Sequence, residues 1–204
     1  MLLLSKSTEW EGVMTERRAA LIAGFSLLLM AGVAGYANLG VIEHPDTAGA
    51  GQLDLAAALM GLVAVLDVIV AVALFTLFGR AALLSSASRV LYAGVLAVAV
   101  ARLTQGSDAL SRAASFHHVF DPALGLFGVH LLLLAFVFDR PQRWLAVLVG
   151  LAGTGYVIDE VTPLLGRRTQ VATITFIGEL VLMGWLLGSG GKLSDRTKPA
   201  VRLA

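Results

Sequence analysis

The chain of 204 residues is 57% hydrophobic and only 14% charged, with a net charge of +1 and no cysteine. A soluble domain carries roughly 25% charged residues, so this composition excludes an ordinary water-facing surface. The small net charge without a dense basic face excludes nucleic acid as a partner, and the missing thiols exclude disulfides, thiolate metal sites and cysteine nucleophiles.

What remains is an all-α integral membrane bundle, because the apolar stretches approach or exceed the roughly 18 residues that cross hydrocarbon. Residues 1–17 are expected as a disordered cytoplasmic leader. The opening MLLLSKSTEWEGV has too short an apolar run for a signal peptide, and MTERRAALIAG offers Met14 as an alternative start. The membrane domain is placed at 18–188, with six transmembrane helices at about 19–40, 53–79, 82–104, 122–138, 143–162 and 170–188. IEHPDTAGAGQ, FGR, TQGSD and DRPQR supply the breaks, and Asp121-Pro122 reads as an N-cap followed by proline at the first helical position. SDALSRAASFHHVF, residues 107–120, is too polar to span and is expected as a short amphipathic helix on the outer surface before the fourth span. No broken span is visible. Residues 189–204 form a basic cytoplasmic tail.

Lysine and arginine set the orientation. With the N-terminus inside, the inner segments hold most of the basic residues, among them Arg17, Arg18, Arg80, Arg140 and Arg143, while the outer ones hold only Arg102, Arg112, Arg167 and Arg168. Both termini are thus expected on the cytoplasmic side of a bacterial inner membrane. Ala146, Gly150 and Thr154 recur at helical spacing on the fifth helix and offer a close-packing face to a neighbour, in this chain or in a second copy.

Each outward-to-inward helix carries one titratable residue near mid-membrane: Asp67, His130 and Glu179. A lone acid there costs roughly 2.5–3.5 kcal/mol on insertion scales, so these side chains are expected to turn inward and share a polar cavity, with Tyr156 on the fifth helix. Arg89 and Tyr92 on the third helix reach the same layer, although snorkelling of Arg89 to the inner interface is the stronger expectation for that residue. The competing account makes all of them interhelical hydrogen-bond glue with no ligand. A second cluster is expected at the outer rim, where His117, His118 and Asp121 approach Asp159 and Glu160, with Arg102 nearby. His117 and Asp121 are four apart and suit a shared divalent ion if that stretch is helical, although capping and solvation explain the same acids. No GxSxG, HExxH or GxxxxGK[ST] motif occurs, and nothing in the chain names a cofactor or a metal.

FDPALGLFGVHLLLLAFVFDR and, further on, GYVID resemble a family of bacterial multi-span membrane proteins known only as a domain of unknown function. The likeness covers about residues 14 to 190 and rests on Arg17-Arg18 before ALIAG, on Asp67, on Asp121 with His130, and on Gly155, Tyr156 and Asp159. One departure is the pair His117-His118, where the family tends to have a single histidine before the fourth span. The resemblance implies the multi-span fold and a common set of polar residues, and it implies no activity.

Three functions fit the sequence. The first is binding or transport of a small solute or proton through the polar cavity. The second is a membrane enzyme acting on a lipid or isoprenoid-like molecule with the outer rim as its acid, base or metal site. The third is a structural or sensor subunit. The bilayer is the common partner, with a small molecule or lipid as ligand in the first two.

Overall fold

The structure is a computed structural model that describes residues 2–166 and 169–188, and among them every regular element is a helix. α1 (Leu2–Ala34) runs directly into a π-helical segment, Gly35–Ile42. α2 (Ala50–Phe78) and α3 (Leu83–Leu103) are joined by one 3-10 turn, Gly79–Ala82. α4 (Ala109–Ala135), α5 (Arg143–Val161), a short α6 (Val171–Thr175) and α7 (Ile177–Gly188) follow.

Among the described residues, five stretches are long and apolar enough to cross a membrane: Glu16–Ile42, Ala50–Leu103, Ala109–Ala135, Arg143–Val161 and Val171–Gly188. The second counts 54 residues. As one rod at 1.5 Å per residue it would measure about 80 Å, far beyond a ~30 Å hydrocarbon core. It is folded instead at Gly79, whose φ of 60° is open to glycine and closed to most L residues, and α3 packs back along α2. Large apolar side chains cover the outside, with Leu84 68% and Val72 60% exposed. An exterior of this kind is a liability in water and the normal condition in lipid, so length, composition and exposure together mark a multi-pass membrane protein.

Each long helix packs on its neighbours in the chain, and α7 packs back on α1, which closes the bundle into a ring. Arg17 helps to lock that closure by donating from Nη2 to the Leu187 carbonyl at 3.0 Å. α4 and α5 cross closely. A Cβ on Gly128 would stand 2.8 Å from the Gly153 carbonyl oxygen, and one on Gly153 would stand 2.7 Å from that of Gly128. Backbone-to-backbone approach of this kind is how helices gain dispersion contact when lipid removes the hydrophobic drive between them. This glycine pair makes the close contact of α5 with α4, while Gly155 meets Thr175 and Gly178 meets the Leu148 carbonyl where α6 and α7 pack on α5. In the row Ala146, Gly150 and Thr154, a Cβ on Gly150 would meet Ala135 at an ordinary 3.5 Å, and Thr154 is exposed with its hydroxyl on the Gly150 carbonyl.

Three expectations are corrected. The segment 107–120 is not a separate surface helix: α4 is continuous from Ala109 to Ala135, with Asp108 as its N-cap accepting from the Ser111 N–H at 2.9 Å. These contacts, the Ser111 backbone bond first, hold the Asp108 carboxyl below the usual carboxylate range. Pro122 lies inside the helix, where it removes only the bond to the His118 carbonyl, and Asp121 therefore caps nothing. The last span is broken at Phe176 between α6 and α7. Its β-branched run Val171, Thr173, Ile174, Thr175 followed by Gly178 is a poor helix former, which explains the interruption. The tail 189–204 and Arg167-Arg168 lie outside the described residues.

Candidate functional site

The interior of the ring holds a cavity of about 360 Å³ to which all six long helices contribute, together with Gly35 and Asn38 of the π-helical segment and Phe176 at the break. Both irregular stretches of backbone therefore border this space. Such departures from the α-helix in a membrane are tolerated where protein or a cavity, not lipid, faces them.

Asp67 from α2 and Arg89 from α3, equidistant in sequence from Phe78, meet across the hairpin with Oδ1 and Nη2 2.7 Å apart. Both are buried, with 0% and 1% of the side chain exposed. Arg89 does not snorkel, because the inward acid offers it a partner that the interface would not match. The contact is a close ion pair and not an aligned hydrogen bond: Asp67 Oδ1 and Oδ2 and Arg89 Nη2 and Nε all lack an aligned partner. Phe127 covers the guanidinium, whose Cζ lies 5.2 Å from the ring centroid.

His130 from α4 stands behind Arg89 and does not line the cavity. Its Nε2 lies 3.0 Å from Arg89 Nη1. Arginine has donors only, so Nε2 must be the accepting nitrogen and the proton sits on Nδ1. That proton is donated to the Ser85 carbonyl at 2.9 Å, while Ser85 Oγ donates to the His130 carbonyl at 3.2 Å. The network therefore assigns a neutral imidazole that fixes Arg89, in place of the cavity-lining histidine of the sequence reading.

The opposite wall carries Glu179, in the first turn of α7 and just after the break, with the Tyr156 hydroxyl beside its carboxyl. Glu179 Oε1 and Asn38 Oδ1 are buried without a partner. Tyr92, Phe127 and Tyr156 form an aromatic cluster, with centroids 5.1 Å and 5.3 Å apart along the series and the last two rings edge to face. Leu27, Met30, Leu124 and Met183 supply apolar walls. The structure thus brings Asp67, Arg89, Tyr92, Tyr156 and Glu179 to one space and leaves His130 behind it. Asn38 and Phe127 belong to the same lining and escape the sequence reading. Both sit in stretches without charge, and only the backbone swelling at Gly35–Ile42 brings Asn38 inward.

The outer rim comes together only in part. His117 links Asp121 and Glu43, with Nδ1 3.1 Å from Asp121 Oδ1 and Nε2 3.8 Å from Glu43 Oε1. Asp159 is fully occupied: Oδ1 accepts from Thr169 Oγ1 and the Val171 N–H, and Oδ2 from the Ala172 N–H, at 2.7 to 2.9 Å. It staples the start of α6 to the end of α5 as a cap supplied from another helix. Arg102 lies beside His118 on the outer face of α3 and α4, away from the two acids at the end of α5, while Arg112 pairs with Asp54. His117, His118, Asp121, Asp159 and Glu160 border one open depression, yet among the described residues no three histidine, aspartate or glutamate side chains are grouped to share an ion.

A family model described as a domain of unknown function (DUF4386) matches residues 22–190. An uncharacterized protein of Archaeoglobus fulgidus is 32% identical over 141 residues, which is 66% of this chain and 83% of that protein. No solved structure matches the chain.

Proposed function

Because the chain belongs to the DUF4386 family, whose description assigns no activity, we propose a function from the geometry: a six-crossing protein of the cytoplasmic membrane that binds a small solute in its intramembrane cavity and passes it on. The observation that carries this reading is the convergence of Asn38, Asp67, Arg89 and Glu179, from four separate elements, with buried polar atoms that lack aligned partners around one space. Interhelical glue satisfies its own hydrogen bonds, as Ser85 and His130 do here. A buried donor or acceptor left open costs about 1–3 kcal/mol, which a bound polar solute would recover. A largely apolar pocket with a few convergent polar groups is the usual form of a small-molecule site.

The fold at Gly79 supports two crossings within Ala50–Leu103 and hence six in total, with both termini on the basic, cytoplasmic side. The π-helical segment and the break at Phe176 support exchange over permanent retention, since interrupted helices beside a midplane site are the parts that move in carriers. The enzyme reading has less to stand on, because Asp159 has its oxygens engaged in a cap.

Thermal unfolding of the purified protein in micelles, screened against small polar and amphipathic solutes, tests the proposal. A ligand at 100 times its Kd should stabilise the fold by about 2.7 kcal/mol, and Ala34→Phe, which fills the cavity from α1, should remove that gain. Ligands that stabilise the variant as well as the native chain would show that binding is elsewhere and defeat the proposal.

A further inference from the structure

We infer that the cavity takes a small organic ammonium ion, held between the Glu179 carboxylate and the aromatic cluster of Tyr92, Phe127 and Tyr156; this rests on the solute-binding reading above. The sign of the ligand follows from a charge count around the space. Asp67 and Arg89 neutralise one another at 2.7 Å, and Arg89 is further engaged by His130 and covered by Phe127. Among the described residues, Glu179 is then the lining carboxyl that no cation contacts in a salt bridge, and the Tyr156 hydroxyl is its neighbour. The polar atoms without aligned partners include Asp67 Oδ2, Glu179 Oε1 and the Asn38 amide oxygen, against Arg89 Nε and Nη2, and Nη2 already lies on the aspartate. Glu179 Oε1 and the Asn38 amide oxygen are acceptors, and a ligand that brings N–H groups matches them.

The aromatic wall points to the same chemistry. The Tyr156 hydroxyl is beside Glu179, and Tyr92 is near enough to feel both Glu179 and Asp67, so π faces and carboxylates border one end of the cavity. Aromatic faces next to an acid, away from water, form a cage for ammonium ions. Leucine and methionine walls accept an apolar body attached to that head. The volume of about 360 Å³ lies at the small end of ligand sites, which span about 300–1,000 Å³, so a single-ring or short-chain amine fits and a whole phospholipid does not.

Calorimetric titration of the full chain in micelles with 2-phenylethylammonium, phenylacetate and 2-phenylethanol separates the alternatives by charge at nearly constant size. The ammonium ion should bind saturably and at least tenfold more tightly than the other two. Glu179→Gln should weaken it by a further tenfold or more while the variant unfolds at an unchanged temperature without ligand. Should Glu179→Gln prove unstable, Tyr156→Leu, which removes one of the three rings at a half-buried position, should still weaken the amine selectively. Tighter binding of phenylacetate or phenylethanol, abolished by Ala34→Phe, would overturn the ammonium assignment and leave the cavity as a solute site. No saturable binding of any of the three would overturn the ammonium assignment, and binding that survives Ala34→Phe would overturn both.

Discussion

At the scale of single residues, the Asp67–Arg89 pair decides how the interior tolerates charge. Desolvating two ions is unfavourable, and their attraction offsets it only while both are present. Asp67→Leu leaves Arg89 buried with the neutral His130, and Arg89→Met leaves Asp67 with no cation. Each single change should destabilise the protein by about 3–5 kcal/mol in denaturant titrations, whereas the double change should cost far less than their sum. Additive losses in that cycle would mean that the pair does not interact. Charge placed in an apolar run makes Asp67 and Glu179 legible in the sequence, because lipid penalises such residues unless they turn inward. Arg89 is misread there because depth counted along one helix cannot show a partner on the next, although the symmetry of both positions about Phe78 contains the signal. Asn38 carries no charge and gives no such signal.

At the scale of helices, glycine placement controls which surfaces approach. The Gly128–Gly153 crossing sets α4 against α5 and thereby positions Phe127 and His130 on one helix and Tyr156 on the other. Gly153→Ala forces a methyl group against the Gly128 carbonyl at 2.7 Å, where backbone and not a flexible side chain must yield. A loss of about 1–3 kcal/mol in unfolding experiments is expected, by analogy with overpacked cores. Gly150→Ala, whose new methyl meets Ala135 at 3.5 Å, serves as the control and should change stability little. Equal effects of the two substitutions would remove the crossing from the account. Helix existence is legible from apolar length alone, but the choice of packing face is not, because several small-residue rows run along α5 and only the crossing selects one. Helix ends fail for a related reason: Pro122 is a valid first-turn residue and also a tolerable interior one, and burial of Phe116, Phe120 and Ala123 along one face keeps α4 continuous across it.

At the scale of the whole molecule, the open question is the number of crossings, and the chain is suited to answer it because it contains no cysteine. If Ala50–Leu103 crosses twice, the Gly79–Ala82 turn and the Ser107 loop lie on opposite sides of the membrane. Arg17, Arg18, Arg140 and Arg143 then fall on the same side as the turn and place it inside. Ala81 and Ser107 are exposed, so a single cysteine at either position should leave the fold intact. In intact cells a membrane-impermeant maleimide should label Ser107→Cys and spare Ala81→Cys until the membrane is opened. Labelling of both from outside would mean that the hairpin enters and leaves on one face. The ring would then have one fewer barrier between the cavity and the outer solution, and the carboxylates would no longer lie at mid-membrane. Labelling of Ala81→Cys alone would invert the bundle and set the basic ends outside, against the charge rule. The expected pattern keeps Asp67, Arg89 and Glu179 near the centre of the bilayer, where unpartnered polar atoms are most costly and a bound solute is worth most to the fold.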